Sequence, residues 1–289
     1  MLPIRKILLP VDFSDRAKGA AHYAQLIALR FGAEITMLHV VPPPDFSLGA
    51  AELAAVAMDR WYADRQAAAH NSLAQFLADE LSGVAVKRVL VEGDPASKII
   101  EMAHTETFHL ILMPTHGYGP FRRFILGSVT AKILHDADCP VLTGVHIEEH
   151  GDLPLEVKHV MCALDLTDNA TKTLNYAKDV AEEFGASLTL VHALPPLEAG
   201  EARYFDQAWR ASLRKGAEES LTQLKADLGV TAETILESGD VAKVVDKAAR
   251  DHKSDLLVIG RATEEGILGR IRANAYAIIR QSPCPVISV

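Results

Sequence analysis

The sequence contains few cysteines and no hydrophobic run long enough to cross a bilayer. Its 289 residues include three cysteines, Cys139, Cys162 and Cys284, with no Cys-x-x-Cys pair, which argues against a disulfide framework or a zinc finger. A membrane span needs roughly 18–20 consecutive apolar residues, so we expect no membrane partner. The first residues lack the apolar core of a signal peptide, and we expect a cytoplasmic protein.

The chain is also short of positive charge. It has 29 Lys and Arg residues against 38 Asp and Glu residues, which gives a net charge of −9. This balance disfavours general attraction to nucleic acid or anionic lipid, so we expect no nucleic-acid partner. Apolar residues make up 49% of the chain, as in globular proteins, and the length predicts about two domains.

One sequence pattern occurs twice in the chain. Residues 7–15 match residues 160–168, and the matches continue in the same order to the end of each copy. The later landmarks are Phe31-Gly32-Ala33 with Phe184-Gly185-Ala186, Gly93-Asp94 with Gly239-Asp240, and Cys139-Pro140-Val141 with Cys284-Pro285-Val286. Such repetition predicts two copies of one domain, which we place at 1–147 and 156–289.

Each copy alternates short apolar runs with longer amphipathic stretches. In the first copy the pattern predicts strands at 6–11, 35–41, 84–91, 109–114 and 140–145, and helices at 15–31, 50–81, 95–105 and 128–136. We therefore predict an α/β fold with two tandem doubly wound, Rossmann-like domains, each a five-stranded parallel sheet with helices on both faces. We expect the copies to pack about a pseudo-twofold axis through strands 140–145 and 285–289.

The segment from Gly117 to Ser128 has the outline of a phosphate site. An apolar strand leads to Gly117, and the chain enters the next helix at Gly127 and Ser128. Glycine permits close backbone approach, and the free amides of a first helical turn favour an anion. The alternative is an ordinary helix cap. The segment matches neither a Walker A loop nor the Rossmann glycine pattern.

Other candidate residues follow the predicted strands. Asp12 could accept hydrogen bonds from ribose, or it could cap the next helix with Ser14 or Asp15. The backbone of Val40 could meet a base edge, although a valine here is also an ordinary core residue. His116 could donate to a phosphate or lie on the surface of a loop.

These landmarks resemble those of the universal stress protein family. They are Pro10-Val11-Asp12-Phe13-Ser14, Leu38-His39-Val40, Gly93-Asp94-Pro95-Ala96, Pro114-Thr115-His116-Gly117, Gly127-Ser128-Val129-Thr130 and Cys139-Pro140-Val141. The whole chain is similar to the tandem-domain members. ATP-binding members carry Gly-x2-Gly-x9-Gly-Ser/Thr, and this chain matches at Gly117, Gly127 and Ser128 but has Pro114 at the first glycine.

The resemblance implies an ATP-binding stress-response regulator. Asp12 and the Val40 backbone would hold ribose and adenine, and the phosphates would lie between the loop and the following helix start. The implied cofactor-binding residues are Pro10, Asp12, Val40, Met113, Pro114, His116, Gly117, Gly127, Ser128, Val129 and Thr130. We expect ATP with Mg²⁺, a homodimer and an unidentified protein partner, with no catalytic residue and no protein metal site. A slow ATP hydrolase and a non-nucleotide structural or redox protein remain alternatives.

The second copy departs from the phosphate motif. Gly260 is present, but the second glycine is replaced by Thr263, and the helix start is expected at Arg272-Ala273-Asn274. Another register aligns Gly269 with Gly127 and puts Arg270 in place of the serine. Either register puts an arginine where a phosphate would lie, so we expect this copy not to bind ATP in the same way.

Two further stretches carry weaker signals. His146-Ile147-Glu148-Glu149-His150 matches a zinc-peptidase pattern, but it falls in a predicted linker before Gly151 and Pro154, so we predict no zinc site there. The apolar stretch from Leu53 to Leu81 predicts core packing, with an interface to another protomer as the alternative.

Overall fold

The computed structural model describes residues 4–43, 54–115, 126–144, 156–195, 206–261 and 268–289, with the backbone alone for 54–61, 206–208 and 268–273. The chain divides into two compact units. Of the described residues, those up to residue 140 form the N-terminal unit, and those from residue 141 onwards form the C-terminal unit. The last strand of the first copy thus belongs to the C-terminal unit. The domain division at 1–147 and 156–289 stays a prediction.

The N-terminal unit is a parallel sheet with interleaved helices. Its elements are β1 (Lys6–Pro10), α1 (Asp15–Phe31), β2 (Glu34–Val41), α2 (Ala54–Gln75), β3 (Val86–Glu92), α3 (Pro95–Glu106), β4 (Leu110–Leu112) and α4 (Ser128–Asp136). The strand order is β3-β2-β1-β4, and all these pairs are parallel. The order reverses between β1 and β4, which creates a crevice at the carboxyl ends of these strands.

The C-terminal unit repeats this arrangement and adds two strands. Its elements are β5 (Val141–Thr143), β6 (His159–Ala163), α5 (Ala170–Phe184), β7 (Ser187–Leu194), α6 (Asp206–Leu228), β8 (Glu233–Ser238), α7 (Val241–Asp251), β9 (Leu256–Ile259), α8 (Leu268–Gln281) and β10 (Val286–Ser288). The order is β8-β7-β6-β9-β10-β5, with the reversal between β6 and β9. Within the described part of this unit, β5 is antiparallel to its neighbour β10, and the other four strand pairs are parallel.

The antiparallel register pairs Val286 with Thr143 and Ser288 with Val141. The predicted contact between the two final strands is therefore confirmed. The pseudo-twofold axis stays a prediction.

The core of the N-terminal unit is formed by the continuously apolar strands. Ile7, Leu8, Leu110, Ile111 and Leu112 are all completely buried. Such burial along whole strands requires cover on both faces of the sheet, and the predicted α/β class with a mostly parallel sheet is confirmed.

Local signals place the ends of α1 as predicted, but those of α2 differ. Ser14 caps α1 by accepting from the Ala17 N–H, and Gly32 ends it in the left-handed conformation with φ 64°. Helix α2 ends at Gln75 instead of residue 81. Leu77 has φ 51°, a left-handed conformation that a continuing α-helix does not contain. None of the helices within the described ranges is long and apolar enough to span a membrane.

Candidate functional site

Asp12 organises the turn that follows β1. Its Oδ1 accepts hydrogen bonds from the Ser14 N–H at 3.0 Å and the Ser14 hydroxyl at 2.5 Å. The Ser14 Oγ in turn accepts from the Ala17 N–H at 3.2 Å. The helix cap is therefore Ser14, and Asp12 positions it. The Asp12 Oδ2 has no hydrogen-bond partner in the described part of the chain, so one carboxylate oxygen is available at this edge.

His39 packs against the turn that follows β1. Its Nδ1 lies 2.7 Å from the Val11 carbonyl oxygen, and the Phe13 ring lies 4.2 Å from the His39 ring. Because a carbonyl can only accept, Nδ1 carries the proton, and Nε2 of the neutral ring is an acceptor. Phe13, which follows Asp12, has φ 64°, a left-handed backbone conformation that is uncommon for a residue other than glycine.

The turn leaves the Val40 backbone without a partner on its β1 side among the described residues, while β3 continues beside it on the other side. The Leu38 carbonyl accepts from the Val11 N–H, and the Val41 carbonyl accepts from the Gly93 N–H, so Leu38 faces β1 and Val41 faces β3. Backbone groups alternate along a strand, and Val40 must therefore face the β1 side, beyond Pro10 where β1 ends. Its N–H and C=O form no backbone bond within the described ranges. A donor and an acceptor thus lie side by side at the sheet edge.

The end of β4 is tied to the start of α4. Met113, Pro114 and Thr115 are buried after the strand. The Pro114 carbonyl accepts from the Thr130 hydroxyl at 3.2 Å, and the Thr115 carbonyl accepts from the Gly127 N–H at 2.9 Å. The Gly127 amide is therefore not a vacant donor, contrary to the expectation from the glycine spacing. The reason is tertiary, because Thr115, which lies just after β4, contacts the helix start.

The first turn of α4 presents amides that have no acceptor among the described residues. Gly127 occupies the cap position with φ −61° and ψ 146°, and no side chain caps the helix. The first intrahelical bond is from the Ala131 N–H to the Gly127 carbonyl at 2.8 Å. The amides of Ser128, Val129 and Thr130 therefore lack intrahelical acceptors, and no other acceptor lies in the described part. This arrangement suits an anion.

The structure brings most of the predicted site to one edge. Pro10 ends β1, Val40 lies near the end of β2, Met113 follows β4, and Ser128 begins α4. The carboxyl ends of parallel strands share one sheet edge, so Asp12 and Pro114 lie at the same edge as these residues. His116, Gly117, Arg122 and Arg123 lie outside the described residues.

The C-terminal copy keeps the turn chemistry. The Asp165 Oδ1 accepts from the Thr167 N–H at 3.1 Å and the Thr167 hydroxyl at 2.8 Å, as Asp12 does from Ser14. His192 Nδ1 lies 2.8 Å from the Leu164 carbonyl. A cavity of about 260 Å³ opens here, at the carboxyl ends of β6, β7 and β9. Asp165, Thr167 and His192 repeat the positions of Asp12, Ser14 and His39, and this repetition is the sequence signal for the cavity.

The start of α8 corrects the sequence alignment. The helix begins at Leu268, so Arg272 is its fifth residue and not its start. Gly269 and Arg270, which the alternative register aligns with Gly127 and Ser128, lie in the first turn of this helix. Five of residues 268–273 are leucine, isoleucine, alanine or arginine, which a helix accommodates well, and Gly269 is the one poor helix former among them. The arginine side chains lie outside the described part.

Comparison with known proteins decides the family. A sequence profile of the universal stress protein family matches residues 3–143 and again residues 156–289. The chain belongs to the universal stress protein family. Two family domains therefore stand in tandem, as the landmarks predicted.

Individual relatives cover one domain, and a solved structure covers the whole chain. A universal stress protein of Methanocaldococcus jannaschii is 33% identical over 138 residues, which is 48% of this chain and 80% of the relative. One from Thermus aquaticus is 34% identical over 140 residues, covering 48% and 96%. The crystal structure of a universal stress protein from Archaeoglobus fulgidus matches with a TM-score of 0.69 at 22% identity, covering 100% of this chain and 97% of that one. This likeness supports the fold.

The described residues of this universal stress protein contain no candidate metal-binding cluster. Among the described residues, no group of three or more His, Cys, Asp or Glu side chains is arranged to hold a metal ion. The His146–His150 motif lies outside them.

Proposed function

We propose that the N-terminal copy binds ATP in the crevice between β1 and β4 and that occupancy regulates the protein during stress. The observation that carries the proposal is the uncapped first turn of α4. The amides of residues 128–130 have no acceptor among the described residues. They lie at the same sheet edge as the Asp12 Oδ2 and the β1 side of the Val40 backbone, which also have no hydrogen-bond partner in that part of the chain.

Each part of the nucleotide has matching chemistry. Adenine presents a donor beside an acceptor, which complements the N–H and C=O of Val40. The Asp12 Oδ2 would accept from the ribose hydroxyls. The phosphates would take the amides of Ser128, Val129 and Thr130, with the positive end of the α4 dipole behind them.

The remaining contacts follow from position and family resemblance. Pro10, Met113 and Pro114 would line the crevice, while Gly127 would shape the helix start and not donate its amide. His116 and Gly117 would complete the phosphate loop. Mg²⁺ would be held mainly by phosphate oxygens and water, which is its usual mode with nucleotides.

The chemistry favours binding and regulation. Asp12, which follows β1, already accepts two hydrogen bonds from Ser14, and in this proposal its other oxygen holds the ribose. Regulation by ATP requires different affinities for two states of the protein. A cytoplasmic location, a homodimer and a downstream protein partner belong to the same proposal.

Calorimetric titration of the full chain with ATP and Mg²⁺ tests the assignment. Asp12→Asn keeps an acceptor for Ser14 but puts an amide donor where Oδ2 lies. We expect one ATP per chain, and affinity at least about tenfold lower in Asp12→Asn, since a hydrogen bond to a charged group contributes about 1.5–3 kcal/mol.

Asp165→Asn is the matched control, because it makes the same change in the same turn of the second copy. It should leave ATP affinity unchanged. Equal effects of the two variants, or no ATP uptake by the native chain, would contradict the proposal. A turnover assay on the same samples separates a binding protein from a slow hydrolase.

A further inference from the structure

Strand β3 forms the outer edge of the N-terminal sheet. It pairs with β2 on one side and, among the described residues, has no strand on the other. The Gly93 N–H bonds to β2 at the Val41 carbonyl, so the odd-numbered positions of β3 face β2. By this alternation the backbone N–H and C=O of Leu90 and Glu92 point outwards, and these groups have no hydrogen-bond partner in the described part of the chain. Such edge groups are a template for pairing with another strand.

Helices α2 and α3 flank this edge on opposite faces of the sheet. The Arg88 side chain donates to the carbonyls of Leu73 and Phe76, at and just after the end of α2, at 2.9 and 3.2 Å. Its neighbour Lys87 pairs with Glu106 of α3 at 3.4 Å. Because side chains alternate along a strand, even-numbered residues of β3 lie on the α2 face and odd-numbered ones on the α3 face. A groove of about 500 Å³ is lined by residues of β3 and of both helices, so it runs along the open edge between them.

The α3 wall of the groove is one stripe of that helix. Its members recur at positions i, i+3, i+4, i+7 and i+8, the spacing of a single helical face. They are Lys98, Glu101, Met102, Thr105 and Glu106. Leu90, Val91 and Glu92 of β3 form the floor, and Gln66 of α2 lies on the other side. Met102, Leu90 and Val91 are half-buried, so apolar surface and an adaptable thioether are open to contact with another chain.

The groove carries negative charge. Its acidic lining residues are Glu92, Glu101 and Glu106, and its basic one is Lys98. Lys98 pairs with Glu101 at 2.7 Å, and Lys87 beside the groove pairs with Glu106 at 3.4 Å, so the Glu92 carboxylate remains in excess. The chain as a whole has a net charge of −9. This balance favours a basic partner.

The corresponding edge of the second copy is partly covered. Leu236 of β8 stands three residues before the Gly239 landmark, as Leu90 stands before Gly93. The Leu236 carbonyl accepts from the Arg214 side chain of α6 at 3.3 Å. The Leu90 carbonyl has no such donor among the described residues. The two copies therefore differ in how far their outer strands are open to pairing.

We infer that the N-terminal copy binds an extended basic peptide segment of a partner protein, which adds a strand to the open edge of β3. The peptide backbone pairs with the outward N–H and C=O of Leu90 and Glu92, and affinity in this mode comes from main-chain hydrogen bonds. The added strand is antiparallel, the slightly more stable pairing. Helices wall the edge on both faces, so a single strand fits it, whereas a second copy would bring its own helices against them.

The two faces of the added strand meet different chemistry. Its side chains alternate between the α2 and α3 faces. Lysine or arginine side chains on the α3 face meet Glu101 and Glu106, and apolar side chains on the α2 face contact Leu90. This surface goes beyond the proposed ATP site and does not depend on it, because the edge is formed by β3 and the ATP crevice lies between β1 and β4.

The probe is a synthetic peptide of alternating lysine and valine, eight residues long, titrated into the full chain by calorimetry. One control alternates lysine and proline, which keeps the charge but removes the amides that would face β3. A second control alternates glutamate and valine. We expect one lysine–valine peptide per chain and at least tenfold weaker binding of both controls. Hydrogen exchange at the amides of Leu90 and Glu92 should slow when the peptide binds.

Leu90→Pro should weaken peptide binding at least tenfold. It removes an outward donor that the β2–β3 ladder does not use, on an edge strand that can accept proline. Leu236→Pro is the matched control on β8 and should bind the peptide like the native chain. Glu101→Gln combined with Glu106→Gln should weaken binding by about threefold to tenfold, since exposed charge pairs contribute modestly. Glu219→Gln, at an exposed position of α6, should have no effect.

Thermal melting of each variant checks that it is folded, and the glutamine variants and the exchange measurement decide the question if Leu90→Pro is unstable. No binding of the lysine–valine peptide at millimolar concentration would overturn the inference. Equal affinity for the lysine–proline peptide would also overturn it, because charge alone would then explain the binding. So would a dimer of the full chain in sedimentation that is lost in Leu90→Pro, since the edge would then serve self-association. Failure of ATP uptake would leave the peptide result standing, so the two proposals can fail separately.

Discussion

The Gly127 N–H donates to the Thr115 carbonyl at 2.9 Å and ties the start of α4 to the end of β4. The hydroxyl of Thr130 makes a second tie to the Pro114 carbonyl at 3.2 Å. Because both contacts are made within the protein, the helix start is held in place before any ligand arrives. The donors left for an anion are the amides of residues 128–130.

Replacing Ser128 with proline removes one of these amides with little expected change in the helix. Ser128 is the first helical residue, where proline is well tolerated. Gly127 has ψ 146°, the extended conformation that a residue before proline prefers. We expect Ser128→Pro to lower ATP affinity by about 10- to 100-fold, since a charge-assisted hydrogen bond contributes about 1.5–3 kcal/mol. Calorimetry measures the affinity, and urea unfolding measures stability.

Val241→Pro is the matched control at the first residue of α7 in the second copy. Asp240 before it has ψ 127°, which is equally suitable for proline. This variant should bind ATP like the native chain. Native ATP affinity in Ser128→Pro would show that these amides do not hold phosphate.

Local sequence signals predicted the fold better than they predicted the site. Ser14 and Gly32 mark the ends of α1 because capping depends on neighbouring residues. The left-handed conformation of Leu77, which ends α2 early, has no such signal, since leucine rarely adopts it. The engagement of the Gly127 amide depends on Thr115, which is distant in sequence, so the glycine spacing alone could not reveal it.

Asp94 is expected to stabilise α3 through its capping bonds. Its Oδ1 accepts from the Ser97 N–H at 2.9 Å and from the Ser97 hydroxyl at 2.6 Å, and the Ser97 hydroxyl bond is the main reason that the pKa of Asp94 is lowered. Asp94→Ala should reduce the free energy of unfolding by about 1 kcal/mol, while Asp94→Asn should cost much less because asparagine also caps well.

The difference in free energy of unfolding between the native chain and the Asp94→Ala variant should depend on pH. Because the pKa of Asp94 is lower in the folded protein than its unfolded value near 3.8, the ionised carboxylate stabilises the fold at pH values above 3.8. This stabilisation is lost as the pH falls through the folded pKa. Urea unfolding at pH 7 and pH 3 measures it. Asp240→Ala, which removes the equivalent cap to Lys243, is the parallel variant. An unchanged unfolding midpoint in both alanine variants would refute the capping role.

His159 should make the protein less stable in mild acid. Burial lowers its pKa, and the neighbouring His252 lowers it further, against the opposing effects of Asp255 and Glu233. Its ring nitrogens lie 3.0 Å from the Ser254 Oγ and 2.9 Å from the Thr189 Oγ1. As pH falls below the ordinary value of 6.5, the unfolded chain takes up the proton first, so unfolding becomes more favourable.

Equilibrium chemical unfolding between pH 7.5 and pH 5, at steps of roughly half a pH unit, measures how the free energy of unfolding depends on pH. His159→Gln should reduce the dependence of stability on pH in that range. His70→Gln is the control, because His70 is exposed on α2. The prediction is wrong if the two variants show the same pH dependence as the native chain.

Two of the three thiols should be unreactive in the folded protein. Burial raises the pKa of the Cys162 thiol, which is completely enclosed, and raises the pKa of Cys284 to about 11. The thiolate is the reactive form, so neither group should attack a disulfide reagent at pH 8. Cys139 is only half-buried. Titration with Ellman's reagent should therefore modify at most Cys139 in the native state and all three cysteines after denaturation. Cys139→Ser should remove the native signal, and modification of a second thiol at a similar rate would contradict the burial of Cys162 and Cys284.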